Sequence, residues 1–531
     1  MKNKPPLLHT NVCVTTIMIL TVAASPAETV TWDGITDLSW TNPDSTSWTG
    51  GTYDNGDDAQ FLGSGAGTVT LSGTINPGSI TVNSANNYTF AGSAIGGAGT
   101  LTKDGTGTLS LRGTVANTYT GGTTINDGTM SLGSGASEDA LGSGTVTVNS
   151  GADLKLWIDP NGSYTIDNTF TLDGGTVYSE DGQYDLTGAM TLNAGGGTLG
   201  GKWENKYLKV SGVISGAGDL TVEDSDNGSQ VADVILSGVN TYTGNTVIGN
   251  NVVLQIAGAG KLDSGNYAGS ISNSGTLEYN SSANQTLSGV ISGTGALIKD
   301  NTGTLTLGGT VANTYSGGTT INDGIVSLGT NSGAANSHQD ALGTGAVSVN
   351  SGGELRLWIS NGGSYTIDNA FTLDGGMVYS EDGQYDLTGD MTLAAGGGTL
   401  GGKWGDKYLK VSGVISGTGG LTIVDVPSVQ TGDVILTANN TYTGGTTVDS
   451  GTLTLTGSGR IGNGGLTVNN GGTLSVATNA FNSLGGAITV NEGGTLSTDS
   501  TGQNAHNIGA IALNGGTLTS SGNAYAEGNW I

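Results

Sequence analysis

The chain has 531 residues and a formal charge of −28, from 43 acidic against 15 basic side chains, and glycine alone fills 98 positions. That balance leaves no basic stripe to displace counterions from a phosphate backbone, which excludes nucleic acid as a partner and disfavours an anionic membrane surface. Charged residues make up only 11% and prolines number 7, so the chain is neither a charged disordered tail nor a Pro-rich linker.

Residues 1–27 read as a secretory signal. Lys2 and Lys4 precede a short apolar run, Val12 to Ala24, and Ser25-Pro26-Ala27 offers small residues for cleavage. The run is too short for a comfortable membrane span. Cys13, the one cysteine, lies inside it, so the exported part would owe nothing to disulfides. Residues 28–98 open on a tryptophan-rich stretch, Trp32 to Phe61, expected to cap a first coil whose strand edges would otherwise be open.

Residues 99–294 and 295–457 then repeat one unit. Leu156–Gly188 (LWIDPNGSYTIDNTFTLDGGTVYSEDGQYDLTG) returns as Leu357–Gly389 with few changes. A tandem copy of this kind simply lengthens a solenoid, whereas a closed globule would not accept it easily. Inside the units a motif of about 35 residues occurs four times, with its clearest copies at Gly99–Gly133 and Gly295–Gly329 and looser ones at Gly218–Gly258 and Gly419–Gly457. Residues 458–531 continue with shorter units starting at Leu466, Ile488 and Ile511, spaced by 22 and 23 residues.

Such a spacing fits one coil of a parallel β-helix. Apolar residues alternate within each unit, as in Leu109 and Leu111, Val146 and Val148, or Leu453 and Leu455, which puts one strand face into a core. Asn-Asp-Gly and Asn-Ser-Gly groups supply the turns. The fold class expected is all-β, a parallel β-solenoid with an internal duplication. Roughly twenty coils at about 4.8 Å each would make a rod on the order of 100 Å long.

The four copies resemble the autotransporter-associated β-strand repeat, also called the passenger-associated transport repeat. The residues carrying the likeness in the first copy are Leu101, Lys103, Gly105, Gly107, Leu109, Leu111, Tyr119, Gly121, Gly122, Thr123, Ile125, Gly128 and Leu132. In the third they are Leu297, Lys299, Gly303, Leu305, Leu307, Tyr315, Gly317, Gly318, Ile321, Gly324 and Leu328. The copy around Tyr242 departs with Asn245 at the second glycine, and the one around Tyr442 lacks the Lys-x-Gly segment. The resemblance implies a right-handed β-helix passenger on a Gram-negative-type surface, secreted or held at the cell surface. Its membrane association would depend on a C-terminal β-barrel or another anchor, and no barrel-like region is seen before Ile531.

β-Helices also host polysaccharide-degrading enzymes, so catalytic groups have to be considered. The three histidines, His9, His338 and His506, assemble no Ser-His-Asp, Cys-His or zinc grouping. Glu180, Asp181 and Asp185, repeated as Glu381, Asp382 and Asp386, could pair as glycosidase carboxyls but read better as Asp-Gly turns. Asp224 to Gly228 lacks the later ligands of a calcium loop. No catalytic residue, cofactor or metal is expected, and the role expected is structural or adhesive, with a carbohydrate-binding module as the alternative. The candidate contact residues are aromatic: alternation turns Leu154, Leu156 and Ile158 inward and leaves Lys155 and Trp157 outward, and the second unit repeats this with Arg356 and Trp358. Trp203 and Tyr207, then Trp404 and Tyr408, lie beside lysines in nearby loops. Rings next to polar groups can stack on surface glycans or anchor a protein of a host or neighbouring cell.

Overall fold

Short alternating segments dominate the chain because Val, Ile, Leu and Thr at every second position can bury one face of a strand and hydrate the other. A computed structural model describes residues 27–34, 37–203, 206–224, 232–330, 337–359, 362–404, 406–426, 432–478, 484–498 and 510–520. The apolar run of the signal and His506 lie outside these residues, as does most of the Asp224–Gly228 segment. Among the described residues the only helical element is one 3-10 turn, Asp263–Gly265; the rest of the regular structure is β-strand.

The strands form five parallel ladders wound as a solenoid, as the repeat spacing leads one to expect. Three faces result. Face 1 runs in a ladder from Thr29–Trp32 to Ile214–Gly216, passes through an arc at Thr241–Thr243, and resumes from Asn266–Tyr267 to Ile511–Asn514. Face 2 runs from Ser39–Trp40 to Ile291–Ser292, passes through an arc at Thr314–Ser316, and resumes from Ser364–Ile367 to Thr517–Ser520. Face 3 is one ladder from Ser163–Ile166 to Ile415–Gly417.

Like residues stack in files along the interior. On face 1 Ile80, Leu101, Thr123, Val146, Phe170, Met190 and Ile214 follow one another in register, all buried. At the N-terminal end the core turns aromatic. Trp32, Trp40, Trp48, Tyr53 and Phe61 pack at centroid distances of 5.1–5.5 Å, and Trp48–Thr49 folds back antiparallel onto Thr29–Trp32. These rings close the first coil with large apolar area.

Turn glycines let the coils approach. A Cβ on Gly212 would stand 1.9 Å from the Gly188 carbonyl oxygen of the coil beneath, so only hydrogen fits.

Candidate functional site

The second and third motif copies fall where a ladder is interrupted, the first just before the face 3 ladder begins and the fourth just after it ends, and in all four the side chains supply bonds that a ladder would otherwise make. In each copy an asparagine amide spans three coils. Asn117 Oδ1 accepts the Ile95 N–H (2.8 Å) while its Nδ2 donates to the Ala140 carbonyl (2.6 Å). Asn240 does the same for Ile214 and Lys261, Asn313 for Ile291 and Ala341, and Asn440 for Ile415 and Arg460. Two residues on, a tyrosine turns into the core. Its hydroxyl meets the inward-facing threonine four positions later, at 2.6 Å for Tyr119–Thr123, 2.9 Å for Tyr242–Thr246, and 2.6 Å for Tyr315–Thr319 and Tyr442–Thr446. A hydroxyl inside an apolar file is thereby satisfied.

The motif lysine is a second buried clamp. Lys103 Nζ donates to the carbonyls of Asp104, Gly105 and Asp127, and Lys299 Nζ to those of Asp300, Asn301 and Asp323. Burial lowers both ammonium pKa values, against the opposing pull of neighbouring aspartates, and brings Lys299 to about 8. Val222 and Ile423, both buried, stand at the matching place in the two copies that lack it.

The aromatic candidates lie on a corner of the prism. Leu154, Leu156 and Ile158 are buried as alternation requires, and Trp157 is half-buried with Lys155 Nζ 5.0 Å from its ring centroid. Trp203 is 44% exposed, with Lys202 Nζ 5.7 Å away. Lys206, just before the next strand of face 3, reaches back two coils, where its Nζ donates to the Pro160 carbonyl. Tyr207 starts the next strand of face 3, half-buried. Register adds a residue that the sequence reading missed: Tyr178 sits directly beside Lys155, and Tyr379 beside Arg356. The signal was present in the alternation Val177-Tyr178, but which coil it joined was not. In the second unit Arg356 lies 5.1 Å from the Trp358 ring centroid, and Trp404 and Tyr408 are half-buried. Burial pushes the Tyr379 hydroxyl up to about 12, with Arg356 pulling the other way.

The two corners do not line up. Eight pairings of face 3 separate Ser163–Ile166 from Val347–Asn350, and two further strands, Val347–Asn350 and Gly353–Leu357, precede Trp358. The duplicated unit therefore spans eight turns and two faces. Trp157 lies where face 2 passes to face 3, and Trp358 where face 1 passes to face 2. The copies are rotated by one face, so they look in different directions.

Four of the six candidate carboxylates, Glu180, Asp185, Glu381 and Asp386, are held in ion pairs. Glu180 meets Lys202 at 2.9 Å and Glu381 meets Lys403. Asp185 meets Lys209 at 2.7 Å and also accepts from Ser211 Oγ (2.7 Å), and Asp386 meets Lys410 and Ser412 likewise. His338 contacts Asp340 at 3.4 Å in an exposed turn. Among the described residues no group of three His, Cys, Asp or Glu side chains could hold a metal ion, and no helix is long and apolar enough to cross a membrane.

The described chain is thus a β-solenoid that carries four asparagine–tyrosine clamps. Residues 97–132, 233–255, 297–328 and 430–455 match the passenger-associated transport repeat family, and each match contains one asparagine–tyrosine clamp. Over 486 aligned residues the chain is 28% identical to the adhesin BmaC autotransporter of Brucella suis biovar 1 (strain 1330). The alignment covers 79% of this chain and 14% of that protein, so the chain spans about a seventh of its relative's length. No solved structure matches.

Proposed function

We propose that this chain is part of the passenger of an autotransporter-type adhesin, exported and displayed at or released from the cell surface. The observation that carries this reading is a continuous β-solenoid with four transport repeats, together with the likeness to a protein named as an adhesin. A rod of stacked coils holds contact groups away from the cell envelope, and a charge of −28 keeps such rods apart. The aromatic corners are the proposed contacts: Trp157, Trp203 and Tyr207 on one, Trp358, Trp404 and Tyr408 on the other, each beside a cation and suited to sugar rings or a protein anchor. Because the corners face apart, one rod engages two surfaces rather than one surface twice. A non-enzymatic role is supported by the likeness to a protein named as an adhesin and by the ion pairs that occupy Glu180, Asp185, Glu381 and Asp386, four of the six carboxyls a glycosidase would draw on.

Beads coated with the chain are expected to attach to cell monolayers, and beads coated with a Trp157→Ala/Trp358→Ala variant to attach less. Attachment no greater than that of albumin-coated beads refutes the adhesive reading. Equal attachment by the variant removes the aromatic corners from it.

A further inference from the structure

Face 1 carries a depression that the repeat pattern does not require. It opens at the 3-10 turn, where Asp263, Ser264 and Gly265 take φ of 41°, 53° and 104° in succession. Left-handed backbone at two non-glycine residues in a row is costly, and such strain gathers where a surface is shaped for use. The bend is locked from both sides. Gln285 accepts the Leu262 N–H at 2.8 Å and donates to the carbonyls of Leu262 and Thr286, while Asn240 donates twice to the Lys261 carbonyl.

Along the groove Asn266, Thr286 and Thr306 stack in register, Asn266 exposed, Thr286 half-buried and Thr306 buried. Beneath the surface the file continues through the buried Ser327 to the half-buried Arg356, whose Nε donates to Ser327 Oγ at 3.0 Å and whose guanidinium leads on to Trp358. Lys261 stands at the turn end. No carboxylate lines this groove, although acidic residues outnumber basic ones by 43 to 15 in the chain. Asp263 and Glu354 are the acidic neighbours along the chain, and neither is part of the lining. Two of the few cations thus stand at the two ends of a groove without a lining carboxylate, which favours an anionic ligand.

Spacing and chemistry then narrow its class. The coil rise of about 4.8 Å is close to the advance of one sugar in an extended polysaccharide, so the Asn266 amide and the Thr286 hydroxyl on neighbouring coils can meet successive sugars. Four register steps separate Asn266 from Arg356, about 19 Å in all. The planar guanidinium fork suits a carboxylate better than a point charge would, and Trp358 offers a ring face beyond it. We infer that this groove binds an extended acidic polysaccharide of the uronate type along the rod axis, with carboxylates at Lys261 and Arg356. The inference rests on the adhesive reading above and names a ligand class for it.

The test is binding of the whole chain to polygalacturonate, with heparin, neutral dextran and poly-glutamate as comparison probes. Saturable binding to polygalacturonate is expected, stronger than to heparin or poly-glutamate and absent for dextran. A Lys261→Gln/Arg356→Gln variant with unchanged circular dichroism should bind about tenfold more weakly, whereas Lys209→Gln on face 3 should not change binding. No binding to polygalacturonate overturns the inference, and so does equal binding by the double variant. Binding as tight to poly-glutamate reduces the groove to a charge effect, and tighter binding to heparin replaces the uronate with a sulfated chain; either result overturns the assignment. Coated beads that still adhere while polygalacturonate fails sink the groove alone. Polygalacturonate bound through Lys261 and Arg356 by beads that do not adhere sinks the adhesive reading alone.

Discussion

Lys299 gives the sharpest quantitative expectation. Its ammonium is buried, donates to three carbonyls, and has a pKa lowered from 10.5 to about 8, chiefly by burial and against the pull of Asp323 and Asp300. The Tyr279 ring lies 5.9 Å away, and burial raises its hydroxyl pKa above the usual value. Below pH 8 the lysine is protonated in both folded and unfolded chains. Between pH 8 and 10.5 the folded chain has released a proton that the unfolded chain still binds, so stability rises with pH across that window. The gap between the two pKa values corresponds to a gain on the order of 3 kcal/mol. A Lys299→Met variant, for which Val222 and Ile423 show that a buried apolar residue is accepted at the matching motif position, loses this dependence. Urea midpoints of wild type and variant, followed by circular dichroism from pH 7 to 10.5, are expected to move in favour of the wild type as pH rises. A difference that stays constant across that range would refute the reasoning, because the lysine would then titrate alike in both states.

Three further outcomes follow from the clamps and the winding. Replacing Asn313 by alanine strands the Ile291 N–H and the Ala341 carbonyl inside the rod, a local cost of about 3 kcal/mol that hydrogen exchange should detect as lost protection at Ile291 and not in the first coils. Gly212→Ala pushes a methyl into the Gly188 carbonyl, so the two coils must part, and limited proteolysis should cut between residues 188 and 240; an unchanged digestion pattern counts against close stacking there. Excising residues 158–358 joins matching positions of the two units, so the shortened chain should fold and its rod, measured by small-angle scattering, should lose about 40 Å. A chain that collapses or aggregates instead would show that the units are not interchangeable.

The candidate site was legible only in part. Leu154, Leu156 and Ile158 could be assigned inward and Trp157 outward because strand alternation depends on nearest neighbours alone. Tyr178 could not be joined to Lys155, since that pairing depends on how many residues one full coil consumes, and the turns between strands differ in length. The polar groove on face 1 was equally hidden: Asn266, Thr286 and Thr306 look like ordinary strand positions, and Lys261 and Arg356 lie almost a hundred residues apart.

The sequence by itself determined the β-solenoid, its duplication and its four repeat motifs, because each depends on local periodicity and on copies that can be aligned by eye. Only the tertiary structure decided what the motif residues do and which way the two copies face. Asn117, Asn240, Asn313 and Asn440 bond to coils above and below, partners that lie 20 or more residues away in the chain. The rotation of the second unit arises because its length is eight turns and two faces, and a repeat that is not a whole number of coils returns its side chains to a different edge of the rod.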